Sequence, residues 1–184
     1  RSEQNWIGGA TIDRAVYVSP PPELLMECLT DWERFVNSRG QMPDLIQCAI
    51  MHEQFEAIHP FKDGNGRIGR LLVPLFLMER GRLSQPLLYL SSYIEPRRND
   101  YYDVLQRIRT DCDWVSWLRF FLEGVQQTAL LAVQQTKTLM DLREEFRYLV
   151  RGKARAVELV DYLFLNPYVT AKRAREFLDV SDPT

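Results

Sequence analysis

The chain has 184 residues, 46% apolar and 26% charged, with a net charge of −2. That length holds one ordinary domain and part of a second, and the composition excludes a disordered chain. The near-neutral balance gives no general attraction to nucleic acid or anionic lipid.

NWIGGATIDRAVYVSPPP reads as a hairpin. Trp6 and Ile7 form one arm and Val16 to Val18 the other, with Gly8 and Gly9 freeing the turn. Pro20 to Pro22 end it and open a helix over Glu23 to Asn37. Pro43 and Asp44 open the next helix, to about Ile58, where Leu45, Cys48, His52, Phe55 and His59 share one face. Pro60 stops it. After the DGNG loop a helix is expected from Arg67, apolar nearly all round and therefore central in the core, kinked at Pro74 and capped at Gly81. Another helix is expected from about Pro96 to Thr110. Asp113 caps a long helical region up to Leu149, and Gly152 breaks it. ARAVELVDYLFLNP and TAKRAREFL then form two short helices, the second capped by Thr170.

Cys28, Cys48 and Cys112 are odd in number and form no CxxC pair. They are expected as reduced thiols of a cytoplasmic protein, with Cys28 and Cys48 in the core. The longest apolar run, Leu71 to Met78, is too short to span a bilayer, so no membrane partner is expected. No signal peptide is visible at Arg1, and both ends read as cut from something longer.

One stretch concentrates chemistry: HPFKDGNGRIGR, His59 to Arg70. Gly64 and Gly66 free the backbone to aim successive N–H groups at one spot, an anion nest. A helix starting there adds its positive end, and Arg67 and Arg70 project from its first turn. Together they suit a di- or triphosphate. Asp63 beside a phosphate makes sense if Mg²⁺ bridges them, since that ion needs only one or two carboxylates besides phosphate oxygens and water. His59, with an ordinary pKa of about 6.5, suits general base work. Other signals fail. His52-Glu53 begins a zinc-protease motif, but position 56 is Glu. His52 and His59 lie about 10.5 Å apart along a helix, too far to share a metal, so His52 reads as a hydrogen-bonded packing residue. There is no Walker loop and no GxGxxG after a strand.

The stretch resembles the Fic family signature in full: His, any, Phe, any, Asp or Glu, Gly-Asn-Gly-Arg, two more, Arg. WIGG with AVYVSPPP, HEQFEAIHPF, LYLSSYIEPRRNDYY and DWVSWLRFFLEGV extend the resemblance. The fold it implies is mainly α: a Fic-type helical bundle with a small β-hairpin flap as the catalytic core over residues 1–150, then a partial winged-helix or helix-turn-helix segment over 151–184. The activity it implies is protein adenylylation, with ATP as substrate, Mg²⁺ as cofactor and a hydroxyl-bearing target protein, the chain itself among the targets. Carried over, His59 is the base and Asp63 the metal ligand. Gly64, Asn65 and Gly66 form the anion hole, Arg67 grips the β-phosphate side and Arg70 the γ-phosphate, while Phe61 anchors the loop in the core. Ile7, Gly8 and Gly9 belong to the flap, where an extended target segment adds to a strand edge. Tyr101 or, better, Tyr102 lines the adenine pocket with Arg109. Gly66 stands where the related Doc-type kinases carry Lys, which favours attack at the α-phosphate. UMP or another nucleotide remains open as the donor. The family's inhibitory S/T-x-x-x-E-G/N motif is not found in these residues, and the resemblance places it before Arg1, which would leave this stretch de-inhibited.

Lys172, Arg173 and Arg175 on the second tail helix read as a solvated face, and the recognition helix of a winged helix would begin at DPT, residues 182–184. Nucleic acid is therefore a partner only through a complete winged helix. The long helix after Asp113 could pair with a second copy in a homodimer. The rival reading is a regulatory or partner-binding protein that uses the Fic fold to sense nucleotide.

Overall fold

Two-residue strands β1 (Trp6–Ile7) and β2 (Tyr17–Val18) pair antiparallel, Trp6 opposite Val18 and Ile7 opposite Tyr17. The loop between them depends on Gly9. Its φ is +72, and a Cβ there would lie 2.2 Å from the Arg14 carbonyl oxygen, so only glycine fits. These features come from a computed structural model that describes residues 1–180.

The helices follow in order: α1 (Leu25–Asn37), α2 (Asp44–Ile58), α3 (Asn65–Glu79), the single turn α4 (Ser91–Ile94), α5 (Arg98–Asp111), α6 (Trp114–Leu149), α7 (Ala154–Leu165) and α8 (Ala171–Leu178). Most ends have the expected chemistry. Asp113 Oδ1 accepts from Ser116 N–H at 3.1 Å ahead of α6, and Thr170 Oγ1 accepts from Arg173 N–H at 3.2 Å ahead of α8. Gly81, at φ +68, closes α3 in a Schellman arrangement: Arg82 N–H donates to Leu77 O at 2.7 Å and Gly81 N–H to Met78 O at 2.9 Å. α3 starts at Asn65, two residues before the expected Arg67, and runs on through Pro74 to Glu79.

The chain forms two compact units, Arg1–Leu130 and Leu131–Thr184, whose boundary falls within α6. In the first unit the central helix is α2, where the apolar pattern pointed to α3. Leu71 and Leu75 of α3 are 55% and 46% exposed, because that helix packs on one side. α2 has neighbours nearly all round. Gln47, His52, Glu53 and Glu56 are buried on it along with Cys48, Ala49, Met51, Phe55 and Ile58, whereas Leu45 stays exposed. Two indoles reach its backbone. Trp32 Nε1–H donates to Met51 O at 2.9 Å and Trp117 Nε1–H to Ala49 O at 3.1 Å. Val73, Phe76 and Leu77 of α3, Val104 and Leu105 of α5 and Phe121 of α6 complete the core. Of the two cysteines expected inside, Cys48 is buried but Cys28 is only half-buried, on the less covered α1; Cys112 is exposed.

In the second unit Tyr162 of α7 and Phe177 of α8 pack at 4.3 Å between ring centroids. Arg143 donates to Asp161 at 2.7 and 2.9 Å, and Phe146 meets Phe164 edge-on. The DPT segment expected to lead into a recognition helix lies outside the described residues. No described helix is long and apolar enough to cross a membrane.

Candidate active site

Pro60 disfavours the α region for the residue before it, and His59 takes a left-handed conformation, φ 50 and ψ 58, as the cap of α2. Its N–H still donates to Phe55 O at 3.0 Å, so the turn is closed while the side chain swings off the helix face. His59 Nδ1 lies 3.2 Å from the Glu56 carbonyl oxygen. A carbonyl can only accept, so Nδ1 carries the proton and Nε2 is left as the acceptor. Burial lowers the His59 pKa from its ordinary value, partly offset by that bond, with Arg1 and Arg109 lowering it further. The imidazole is therefore neutral, and basic, at pH 7.

The loop after it is held by Asn65. Its side chain accepts from Phe61 N–H at 2.8 Å and donates to Phe61 O at 2.7 Å. Asn5 Nδ2, just ahead of β1, donates to the same carbonyl at 2.9 Å and ties the hairpin to the loop. Asn65 is 2% exposed while Phe61 is 46% exposed. The expected anchoring by the Phe61 ring is thus overturned: the ring is half-exposed, 6.4 Å from the Phe55 ring between centroids, and the Phe61 backbone does the anchoring.

Gly64, at φ +86, turns the chain into α3. Ile68 N–H is the first to bond back, to Gly64 O at 3.0 Å, so the N–H groups of Asn65, Gly66 and Arg67 lie ahead of the first helical bond. Such a helix start suits an anion. Beside it the chain's own Asp63 accepts from Gly64 N–H at 2.7 Å and pairs with Arg67 at 2.9 Å. Both side chains of that pair are exposed, so it gives way easily to a stronger anion. Arg70 is more enclosed. Its Nε donates to Ser91 Oγ at 3.0 Å and its Nη2 stands 3.9 Å from Glu95.

A cavity of about 290 Å³ is lined by His59, Asp63, Gly64, Asn65, Gly66, Arg67, Arg70 and Tyr102, among others. A second, of about 440 Å³, shares His59, Gly66, Arg70, Tyr101 and Tyr102 with it and reaches Ile7, Gly8, Val16, Leu105, Gln106 and Arg109. The structure thus brings together the expected residues, with two qualifications. Gly9 lines neither cavity and acts on the shape of the hairpin loop. Tyr101 is buried and points its hydroxyl at His52, so the exposed Tyr102 is the ring available to a ligand. Arg109 stacks over Tyr17, 3.8 Å from its ring centroid, and its Nε and Nη2 have no partner.

The lining residues that escaped the sequence reading include Glu56, Glu95, Arg98 and Gln106. Glu56 had a signal, one turn before His59 on the same helix. It is 6% exposed and its Oε1 has no partner. Gly69 makes room for it, since a Cβ there would lie 2.3 Å from that oxygen. Burial raises its pKa to about 7 against the pull of Arg70 and Arg109.

Comparison with known proteins agrees with this geometry. Residues 1–77 match the Fic/DOC family model. A probable protein adenylyltransferase of Aquifex aeolicus is 32% identical over 84 residues, 46% of this chain and 26% of that protein. The protein adenylyltransferase Fic of Drosophila yakuba is 29% identical over 160 residues, 86% of this chain and 29% of that protein. The chain therefore spans between a quarter and a third of the length of these relatives. The crystal structure of a Fic family protein from Desulfovibrio desulfuricans superposes with a TM-score of 0.62 at 24% identity, covering 99% of this chain and 50% of that one. With the whole motif from His59 to Arg70 folded as one loop and helix start, and the family match lying over it, residues 1–77 carry a Fic/DOC domain.

Proposed function

We propose that this chain is a protein adenylyltransferase, moving AMP from ATP to a hydroxyl of a target protein and releasing pyrophosphate. The observation that carries the reading is that one loop places a neutral imidazole, the free N–H groups of a helix start and two arginines around one cavity. His59 Nε2 takes the proton of the target hydroxyl. That oxygen forms a bond to the α-phosphorus, and the bond from the α-phosphorus to the bridging oxygen breaks. The electron pair leaves with pyrophosphate. Arg67, Arg70 and the N–H groups of Asn65 and Gly66 face that growing charge. Gly66 has no side chain to fill the floor of the cavity, which keeps the α-phosphate in reach. Tyr102 and Arg109 take the nucleoside, and Ile7 and Gly8 present the strand edge to the target.

Among the described residues there is no cluster of three acids, His or Cys for a metal. The one exposed carboxylate of Asp63 fits Mg²⁺ brought in on phosphate oxygens. Bound there, the ion would neutralise charge on the α- and β-phosphates. Asp63 must then release Gly64 N–H and Arg67, which frees both for phosphate.

The same reading makes residues 1–150 the catalytic core of a cytoplasmic enzyme and 151–184 part of a winged helix. The exposed apolar positions Val133, Leu139 and Met140 of α6 support pairing with a second copy. The test is incubation with Mg²⁺ and ATP labelled on the α- or the γ-phosphate. Label from the α-position on the chain or a partner protein is expected. Transfer of γ-label alone would make it a kinase, and ATP binding without transfer would make it a nucleotide sensor.

A further inference from the structure

Opposite the phosphate loop, the first cavity is walled by Ile94, Glu95 and Arg98 from the junction of α4 and α5. Arg98 opens α5 one turn ahead of Tyr102, and i, i+4 spacing puts both on one face. Glu95 stands between two guanidiniums. Its Oε2 accepts from Arg98 Nη2 at 2.6 Å, and its Oε1 is 3.9 Å from Arg70 Nη2. Arg70 and Arg98 therefore share one carboxylate at the rim of a cavity whose other charged walls are Lys62, Arg67 and Asp63.

We propose that Arg98 is a further substrate-binding residue, which grips the terminal phosphate of the triphosphate together with Arg70, and that Glu95 is the resident acid that this phosphate displaces. The inference rests on the adenylyltransferase reading above, in which the terminal phosphate lies on Arg70. A carboxylate already shared by two guanidiniums marks a place where an oxyanion meets both, and a phosphate offers more acceptor oxygens and more charge to the same two forks. Displacement is easy because the Arg98 and Glu95 side chains are 58% and 48% exposed, and exposed ion pairs are weak. With Arg98 counted, the cavity carries four cations against two acids, a cationic excess suited to a polyphosphate.

The proposal distinguishes nucleotides by their tails. Affinities for ATP and AMP, both measured with Mg²⁺ by calorimetry on the wild type, Arg98→Ala and Glu95→Gln, test it. Arg98→Ala should weaken ATP about tenfold, the scale of one lost charge-assisted phosphate contact, and leave AMP unchanged. Glu95→Gln should tighten ATP, again without effect on AMP. An unchanged ATP affinity in Arg98→Ala, or an equal loss for ATP and AMP, would overturn the role of Arg98. Weaker ATP binding in Glu95→Gln would overturn that of Glu95. A wild type that binds no ATP would instead sink the underlying reading.

Discussion

The middle of α2 and its C-terminal end each hold a histidine, and the two ends of that comparison behave as different amino acids. His52 has no exposed surface. Its Nδ1 is 3.0 Å from Gly69 O and its Nε2 is 3.0 Å from the Tyr101 hydroxyl. A carbonyl only accepts, so Nδ1 donates, and Nε2 must accept from Tyr101. The ring stacks on Trp117 at 5.8 Å, and burial pushes its pKa down to about 4. His59, at the end of the helix, has one nitrogen occupied by a backbone carbonyl and the other free. The lesson is that a buried imidazole with two partners is a strut, while a half-buried one with a single partner keeps a nitrogen open to a proton. The left-handed conformation of His59 ahead of Pro60 makes the difference, because it takes His59 off the packed face that His52 occupies.

The sharpest way to break that comparison is to remove each ring. His59→Ala should cut AMP transfer by about 10²- to 10⁴-fold, the usual worth of a general base, while urea unfolding stays near wild type. His52→Ala should do the reverse. It leaves the Gly69 carbonyl and Tyr101 hydroxyl without partners and opens a cavity, for a loss of ~3 kcal/mol or more in unfolding free energy by urea titration. An undisturbed midpoint would mean that His52 is no strut.

Glu56, between the two histidines, gives a pH test of comparable size. Its folded pKa is raised by burial from an ordinary 4.5 to about 7. Between those values the folded state keeps a proton that the unfolded state has lost, so stability falls as pH rises through that window, by up to ~3 kcal/mol. His52 works the other way. Its folded pKa of about 4 lies below the ordinary 6.5, so the unfolded state binds more protons between them and stability rises with pH there. The two slopes oppose each other in the wild type. Glu56→Gln removes one, and its advantage over wild type should grow from about pH 4.5 to about pH 7 and then level off. A difference that ignores pH would show that Glu56 is not held protonated. The smallest effect is kinetic. The acid limb of kcat/KM for transfer should fall below the ordinary 6.5 of histidine, as burial of His59 requires. A limb above 6.5 would blur the contrast, because His59 would then be held as a cation.

What could be read in advance follows the range of the interactions involved. The loop was legible because its bonds are local: Asp63 to Gly64, Asn65 to Phe61 and Asp63 to Arg67 all close within four residues. Helix ends at Asp113, Thr170 and Gly81 were legible for the same reason. The central helix was not. Gln47, Glu53 and Glu56 are residue types usually left in water, and nothing near them in the chain says otherwise. Gln47 is buried by the end of α1, where its Nε2 donates to Phe35 O at 2.6 Å. The wall formed by Glu95 and Arg98 was equally hidden, about thirty residues past the loop it faces.

The sequence by itself determined the local form of the loop from His59 to Arg70, the hairpin and the helix punctuation, because glycine freedom, proline restriction and capping act between near neighbours. Tertiary structure alone decided which helix is the post, which groups hold each histidine and which acid is stranded. Burial and ring-nitrogen partners come from segments distant in the chain, and those set the protonation state on which the chemistry depends.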